Sequence, residues 1–295
     1  MGSGTRSIAR LLQRLPAPLL FIIGGLSMYL GAAAATWLFE AVNPAGVAWL
    51  RQLGAAVFLL AWRRPKRIAW RGRALLLATA FGVVTAGMNV LFYEAIARLP
   101  LGTAVALEFV GPVFVAAIGS RTARDVVALL FVVGGVVLIA DVQLSGSALG
   151  VFFALAAAAA WAGYILLGKR VANAGNGVDS LAVGFVMATL LLSPLALGTG
   201  EAWGSARLLV LGLGVGLLST VVPYVLDQIV LRRVGQAKFA ILLALLPVTA
   251  TATGLVVLGQ VPSVAEAIGI LAVVAGVALR SPDERASNRS AEPPS

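Results

Sequence analysis

Ten apolar blocks dominate this chain, most of them near the length that crosses ~30 Å of hydrocarbon as a helix. They run over about 16–37, 44–62, 74–95, 100–119, 125–140, 148–168, 181–197, 208–231, 237–258 and 264–279. Blocks so closely spaced leave no polar sequence from which a water-facing shell could be built. The chain is 60% apolar and 12% charged, roughly half the charged fraction of a soluble domain. The blocks lack period-two alternation, and an open sheet in lipid would leave its backbone unpaired. An all-α polytopic membrane protein of ten transmembrane helices is therefore predicted.

The residue inventory removes several kinds of chemistry. There is no Cys and no His, so disulfides, thiolate metal sites, zinc chemistry and Ser/His or Cys/His catalysis have no residues to use. No paired intramembrane Asp motif is present either. The expectation is a protein that is not an enzyme and needs no cofactor or metal.

The net charge of +10 could suggest nucleic-acid binding, but the placement of the charges argues for topology instead. With the N-terminus inside, the inner segments hold Arg6, Arg10, Arg14, Arg63, Arg64, Lys66, Arg67, Arg71, Arg73, Arg121 and Arg124. They also hold Lys169, Arg170, Arg232, Arg233, Lys238, Arg280, Arg285 and Arg289. The outer segments hold only Arg98 and Arg207, and Arg51 lies within a span. Such a bias predicts both termini in the cytoplasm of a bacterial inner membrane, and an even number of spans. A cleaved signal peptide ending near Ala33-Ala34-Ala35 would leave nine spans and satisfy the same bias. The first apolar run is long for a signal, however, and the repeat described next requires that helix.

Shifted by 135 residues, the sequence aligns Tyr29 with Tyr164, Pro112 with Pro247, Gly119 with Gly254 and Gly134 with Gly269. Spans one to five then fall on spans six to ten. Five is odd, so the halves would face opposite ways, as inverted repeats do in secondary transporters that bind substrate between the halves. The expected organisation is a cytoplasmic segment at 1–15, five-helix repeats at 16–141 and 148–280, and a disordered cytoplasmic tail at 281–295.

Polar residues inside the blocks are the candidate site. Arg51 and Glu108 lie about seven and eight residues into spans two and four from the outer side, depths of roughly 10 and 12 Å. They are expected to pair, or to divide the work, with Glu108 on a substrate ammonium and Arg51 orienting it. Outward snorkelling of Arg51 and a neutral Glu108 in a packing hydrogen bond would explain the same residues. Asn89 and Tyr93 share a face of span three, and the shift places Tyr224 and Gln228 of span eight on them. Interhelical hydrogen bonding and an aromatic belt are the structural alternative for these residues. Trp161 and Tyr164 would wall the same cavity or anchor the helix at the interface. Asp227, near the inner end of span eight beside Arg232 and Arg233, is expected to be solvated or paired there. Pro112 and Pro247 should kink spans four and nine, as hinges or as static bends. Gly24-Gly25, Gly134-Gly135 and Gly212, Gly214 and Gly216 allow close helix approach.

Two stretches carry a resemblance: Gly87-Met88-Asn89-Val90-Leu91-Phe92-Tyr93, and Leu99-Pro100-Leu101-Gly102-Thr103-Ala104-Val105-Ala106-Leu107-Glu108-Phe109-Val110-Gly111-Pro112. With Trp161-Ala162-Gly163-Tyr164, Ser219-Thr220 followed by Pro223-Tyr224, and Leu258-Gly259, the chain resembles the EamA-type drug/metabolite transporters. Within them it is most similar to the bacterial threonine/homoserine exporter branch. The resemblance implies two inverted five-helix halves around a central cavity. Asn89, Tyr93, Glu108, Trp161, Tyr164 and Tyr224 would line it, and small amino acids or related metabolites would be exported. Two positions depart from the branch: Leu246-Pro247 stands where it looks like Glu-Pro, and Gly259-Gln260 where Gly-Glu is common.

The function expected is export of threonine- or homoserine-like amino acids by alternating access, either proton-coupled through Glu108 or simply facilitated. A drug or other metabolite exporter of the same superfamily is the alternative within transport, and a membrane scaffold or receptor the alternative outside it. The partners expected are a small-molecule substrate and membrane lipid, with no nucleic acid.

Overall fold

The computed structural model describes residues 15–63, 65, 67–119, 123–173 and 177–279, and every regular element among them is helical. In chain order these are α1 (Ala17–Leu38), α2 (Pro44–Arg63), α3 (Gly72–Ile96), α4 (Leu101–Glu108), α5 (Val110–Gly119) and α6 (Ala123–Asn173). They continue as α7 (Gly177–Leu191), α8 (Gly200–Trp203), α9 (Ala206–Gly216), α10 (Val222–Leu243), α11 (Leu245–Leu258) and α12 (Val264–Leu279). A single 3-10 turn covers Arg67–Trp70, a seven-residue 3-10 helix covers Ser193–Thr199, and a π-turn covers Leu217–Val221. The segment expected at 1–15, apart from Leu15, and the tail expected at 281–295 lie outside the described residues.

Apolar and polar residues are distributed as lipid requires. Large apolar side chains such as Leu76, Phe114, Leu130, Phe152, Val210 and Leu271 point outward, whereas Arg51, Gln52, Asn89, Thr103, Glu108 and Ser219 are buried. A bundle with its polar groups inside and its oily groups outside is soluble in hydrocarbon, not in water. The chain is a polytopic membrane protein. Among the described residues five helices are long and apolar enough to cross a membrane, and a sixth crossing results if the pair Leu181–Leu191 and Ser193–Trp203, bent by 66°, is one span. Four more apolar helices are shorter: Leu101–Val115, Val126–Ile139, Leu245–Leu258 and Val264–Leu279.

The element boundaries depart from the sequence-based ones where proline or a local turn intervenes. The block at 100–119 is two helices, because Phe109 adopts a turn three residues before Pro112. Proline offers no N–H to the carbonyl four residues back, here that of Glu108, and the helix gives way just upstream. Ala244 adopts the equivalent turn before Pro247. It lies at the same 135-residue offset from Phe109 as one proline from the other. The break expected between 231 and 237 is absent, since α10 runs on to Leu243. The fifth and sixth blocks are joined in the long α6, interrupted only by Ser147 in a non-helical conformation (φ −155°, ψ 67°).

Glycine lets the helices touch. A Cβ on Gly82 of α3 would overlap the Gly184 carbonyl of α7, and one on Gly216 would overlap the Arg51 carbonyl of α2. The packed pairs come in couples: α3 with α7 and α9 with α2, α3 with α6 and α10 with α1, α4 and α5 with α6 and α11 with α1. α4 packs on α11, and the first half of α6 packs on α12 through Gly135 and Gly269.

Candidate functional site

The π-turn between α9 and α10 organises the polar interior. Pro223 has no N–H to give to the carbonyl four residues back, that of Ser219, or five back, that of Leu218. Inside a membrane-spanning bundle those carbonyls need other donors. Two side chains supply them. Ser27 of α1 donates its hydroxyl to the Leu218 carbonyl at 2.8 Å, and the Arg51 guanidinium donates to the Ser219 carbonyl at 3.1 Å. Arg51 also donates through Nε to Thr220 Oγ1 at 3.1 Å, and Ser219 returns its own hydroxyl to the Met28 carbonyl of α1 at 2.9 Å. Gly54 and Gly216 make this reach possible, because α2 and the end of α9 meet backbone to backbone.

Tyr93 lies under the same cation, its ring centroid 5.5 Å from the Arg51 guanidinium carbon, an arrangement in which the ring face attracts the charge. The Tyr93 hydroxyl is fully buried beside Arg51 and Ser219, yet it has no hydrogen bond of good geometry. The amide nitrogen of Gln52, next to Arg51 in sequence, is likewise buried without a partner.

Glu108 ends α4 and is buried, 8% exposed. It lies within electrostatic reach of Arg51, and Tyr29 of α1 lies within reach of Glu108. No salt bridge joins Arg51 to Glu108, and Arg51 spends its donors on the π-turn. The break at Phe109 turns that ring onto Trp161 of α6, edge to face at 5.0 Å between centroids. Asn89 is buried one turn from Tyr93 on α3. Tyr164 stacks on Phe81 at 4.8 Å and lies within electrostatic reach of Tyr224. The side chain of Gln228 lies outside the described residues.

Sequence reading missed three participants. Ser27 carried no signal, and Ser219 entered only as part of a resemblance. Their role exists only because Pro223 strips donors from a neighbouring helix. Tyr29 appeared as a match in the repeat, not as a site residue. Asp227 is the correction of substance. Its carboxylate is half-buried and faces α1 at Gly24, with Tyr29 and Tyr164 in reach. Leu246 lies against the adjoining Gly25, so an acid does reach this stretch of α1, from α10 and not from α11.

Two polar residues that could look functional serve the helix ends. Gly259 closes α11 at φ 66°, and the Gln260 side chain then accepts the Leu101 N–H at 2.8 Å, capping α4. Gln260→Ala should cost about 1 kcal/mol and Gln260→Glu almost nothing, checked by thermal unfolding in detergent. Glu266 forms a reciprocal cap with Ser263 and accepts the Thr103 hydroxyl at 2.9 Å.

Comparison with known proteins places the chain among membrane transporters. The EamA-like transporter family matches residues 148–281. The threonine/homoserine exporter RhtA of Escherichia coli (strain K12) is 37% identical over 253 residues, 83% of this chain and 84% of that protein. RhtA of Salmonella typhimurium (strain SL1344) is 36% identical over 265 residues, 87% of this chain and 88% of that one. One crystal structure shares the fold at 21% identity with a TM-score of 0.60, over 90% of this chain and 96% of the other.

Proposed function

The chain belongs to the EamA-like transporter family, and from that premise we propose that it exports small zwitterionic amino acids of the threonine and homoserine kind across the bacterial inner membrane. The observation that carries this reading is the pair of buried opposite charges held apart: Glu108 and Arg51 feel each other but do not bond. A substrate with an ammonium group at one end and a carboxylate at the other is complementary in charge to two such groups. Glu108 takes the ammonium group, and Arg51 with the unpartnered Tyr93 hydroxyl takes the carboxylate. Asn89, Trp161, Tyr164 and Tyr224 provide the polar and aromatic surroundings. The two exporters similar to this chain carry the same substrate names.

The architecture we infer is ten spans in two inverted halves, 16–141 and 148–280, with both termini cytoplasmic. Several features support it. The five long helices, the bent pair and the four shorter apolar helices supply ten candidate crossings. The main pairings between the two halves, α3–α7 with α9–α2, α3–α6 with α10–α1 and α4–α6 with α11–α1, exchange with one another when each span is replaced by the one five places on. The turns at Phe109 and Ala244 are matched. The family match also begins where the second half does. Rocking of one half on the other about the broken helices α4–α5 and α10–α11 would expose the site to either side in turn, and the Glu108 carboxyl can carry a proton on the return.

The test is transport of labelled threonine and homoserine into proteoliposomes, with and without a pH gradient. Wild type should move both, and Glu108→Gln should lower the initial rate at least tenfold, about 1.4 kcal/mol in the barrier. An unchanged rate and pH response in Glu108→Gln would remove Glu108 from the mechanism. Movement of a drug or another metabolite, and of neither amino acid, would favour the other exporters of the superfamily.

A further inference from the structure

We propose that Asp227 is a second acid of the transport site, holding the substrate's ammonium group at a station displaced from Glu108 along the bundle. The proposal deepens the transporter reading and rests on it for the identity of the substrate. A carboxylate inside an apolar bundle is expensive and normally has an occupation. Other acids have visible ones: Glu266 caps α12 and Glu94 pairs with Arg98 at 2.6 Å. Asp227 has none of that kind, and no described cation pairs with it.

Its surroundings are those of an ammonium site. Gly24 of α1 faces the carboxylate, Tyr29 of α1 and Tyr164 of α6 lie within electrostatic reach, and Tyr224 precedes it by one helical turn on the same face. A carboxylate with phenols within electrostatic reach suits an organic ammonium, which it can hold through charge-assisted hydrogen bonds. Tyr29 and Tyr164 are the residues that the 135-residue offset superposes, so each half contributes one tyrosine.

Position supplies the second half of the argument. Tyr29 lies within reach of Asp227 and of Glu108. Arg51 is fixed at Ser219 and Thr220, and Asp227 follows Ser219 by about 12 Å of helix, at 1.5 Å per residue. The two acids are thus staggered, with Asp227 on the side of α10 that leads toward Arg232 and Arg233. An ammonium group entering from that side meets Asp227 first and Glu108 second.

The test separates the amine from the carboxylate of the substrate. Binding of 1-amino-2-propanol and of 3-hydroxybutyrate, which are threonine without its carboxylate and without its amine, is measured by calorimetry on the purified protein. Asp227→Asn should weaken the amine at least tenfold and leave the hydroxy acid within twofold, whereas Asp227→Glu should retain the amine. The chain has no cysteine, so Asp227→Cys adds a unique thiol. Alkylation of that thiol with iodoacetate should restore amine binding, and alkylation with iodoacetamide should not. Equal loss of both ligands, an amine affinity in Asp227→Asn within twofold of wild type, or no amine binding to wild type would each overturn the proposal. Amine binding that depends on Asp227 in a protein that transports neither amino acid would instead sink the exporter reading and leave this site standing.

Discussion

Gly82→Ala is expected to destabilise the folded bundle by about 3 kcal/mol, the upper end of what one added methyl group costs a packed interior. The physical reason is that the methyl would meet main chain and not a side chain. A Cβ at position 82 overlaps the carbonyl of Gly184, and one at Gly184 overlaps the carbonyl of Ala78. A side chain can rotate away from such a clash, but a helical carbonyl cannot move without its helix. The α3–α7 contact must therefore open along its length. Gly87 is on the same helix with nothing within 4 Å of where its Cβ would stand. Gly87→Ala should leave stability unchanged or raise it by up to about 1 kcal/mol, through helix propensity. The measurement is thermal unfolding of the two purified variants in one detergent. A Gly82→Ala protein that melts with Gly87→Ala would show that the two helices are not in backbone contact.

Arg51→Leu is expected to cost about 3 kcal/mol, and the loss should depend on a residue in another helix. Leucine fills much of the volume but donates nothing, so the Ser219 carbonyl and the Thr220 hydroxyl lose the guanidinium. A buried acceptor left without a donor costs about 1–3 kcal/mol. Arg51→Lys should recover only part, because one ammonium does not reproduce the guanidinium fork that meets both groups. Pro223→Ala restores a backbone N–H to α10, which can serve the Ser219 carbonyl from within the helix. In that background Arg51→Leu should cost at least about 1 kcal/mol less, a coupling readable from a double-mutant cycle. Strict additivity of the two substitutions would mean that Arg51 is held for its charge alone. Transport then distinguishes structure from function. If Arg51 also receives the substrate carboxylate, Arg51→Lys should raise KM more than it lowers kcat.

Much of the candidate site could be named from the sequence because intramembrane polar residues are few. Asn89, Tyr93, Glu108, Trp161, Tyr164 and Tyr224 stand out against apolar sequence, and the structure brings them toward the interior around α1, α3, α4, α6 and α10. What could not be read was how each polar group is occupied. Arg51 and Glu108 lie at matching depths, so direct pairing was a natural expectation. The proline that recruits Arg51 elsewhere is far along the chain, and its effect depends on which helix lies opposite. Asp227 was misjudged for the same reason. Its neighbours in sequence, Arg232 and Arg233, suggested a solvated end, while its neighbours in space are Gly24, Tyr29 and Tyr164.

By itself the sequence determined the solvent and the helical class, and it suggested the duplication that we propose. Each follows from local quantities: block length against bilayer thickness, the backbone's need for hydrogen bonds in oil, and a recurring pattern of blocks and prolines. Only the tertiary structure decided which carbonyls were orphaned, which side chains answered them, and which acids remained uncommitted. Those outcomes depend on contacts between helices tens or hundreds of residues apart, where a missing Cβ or a missing N–H acts on a partner that linear order does not identify.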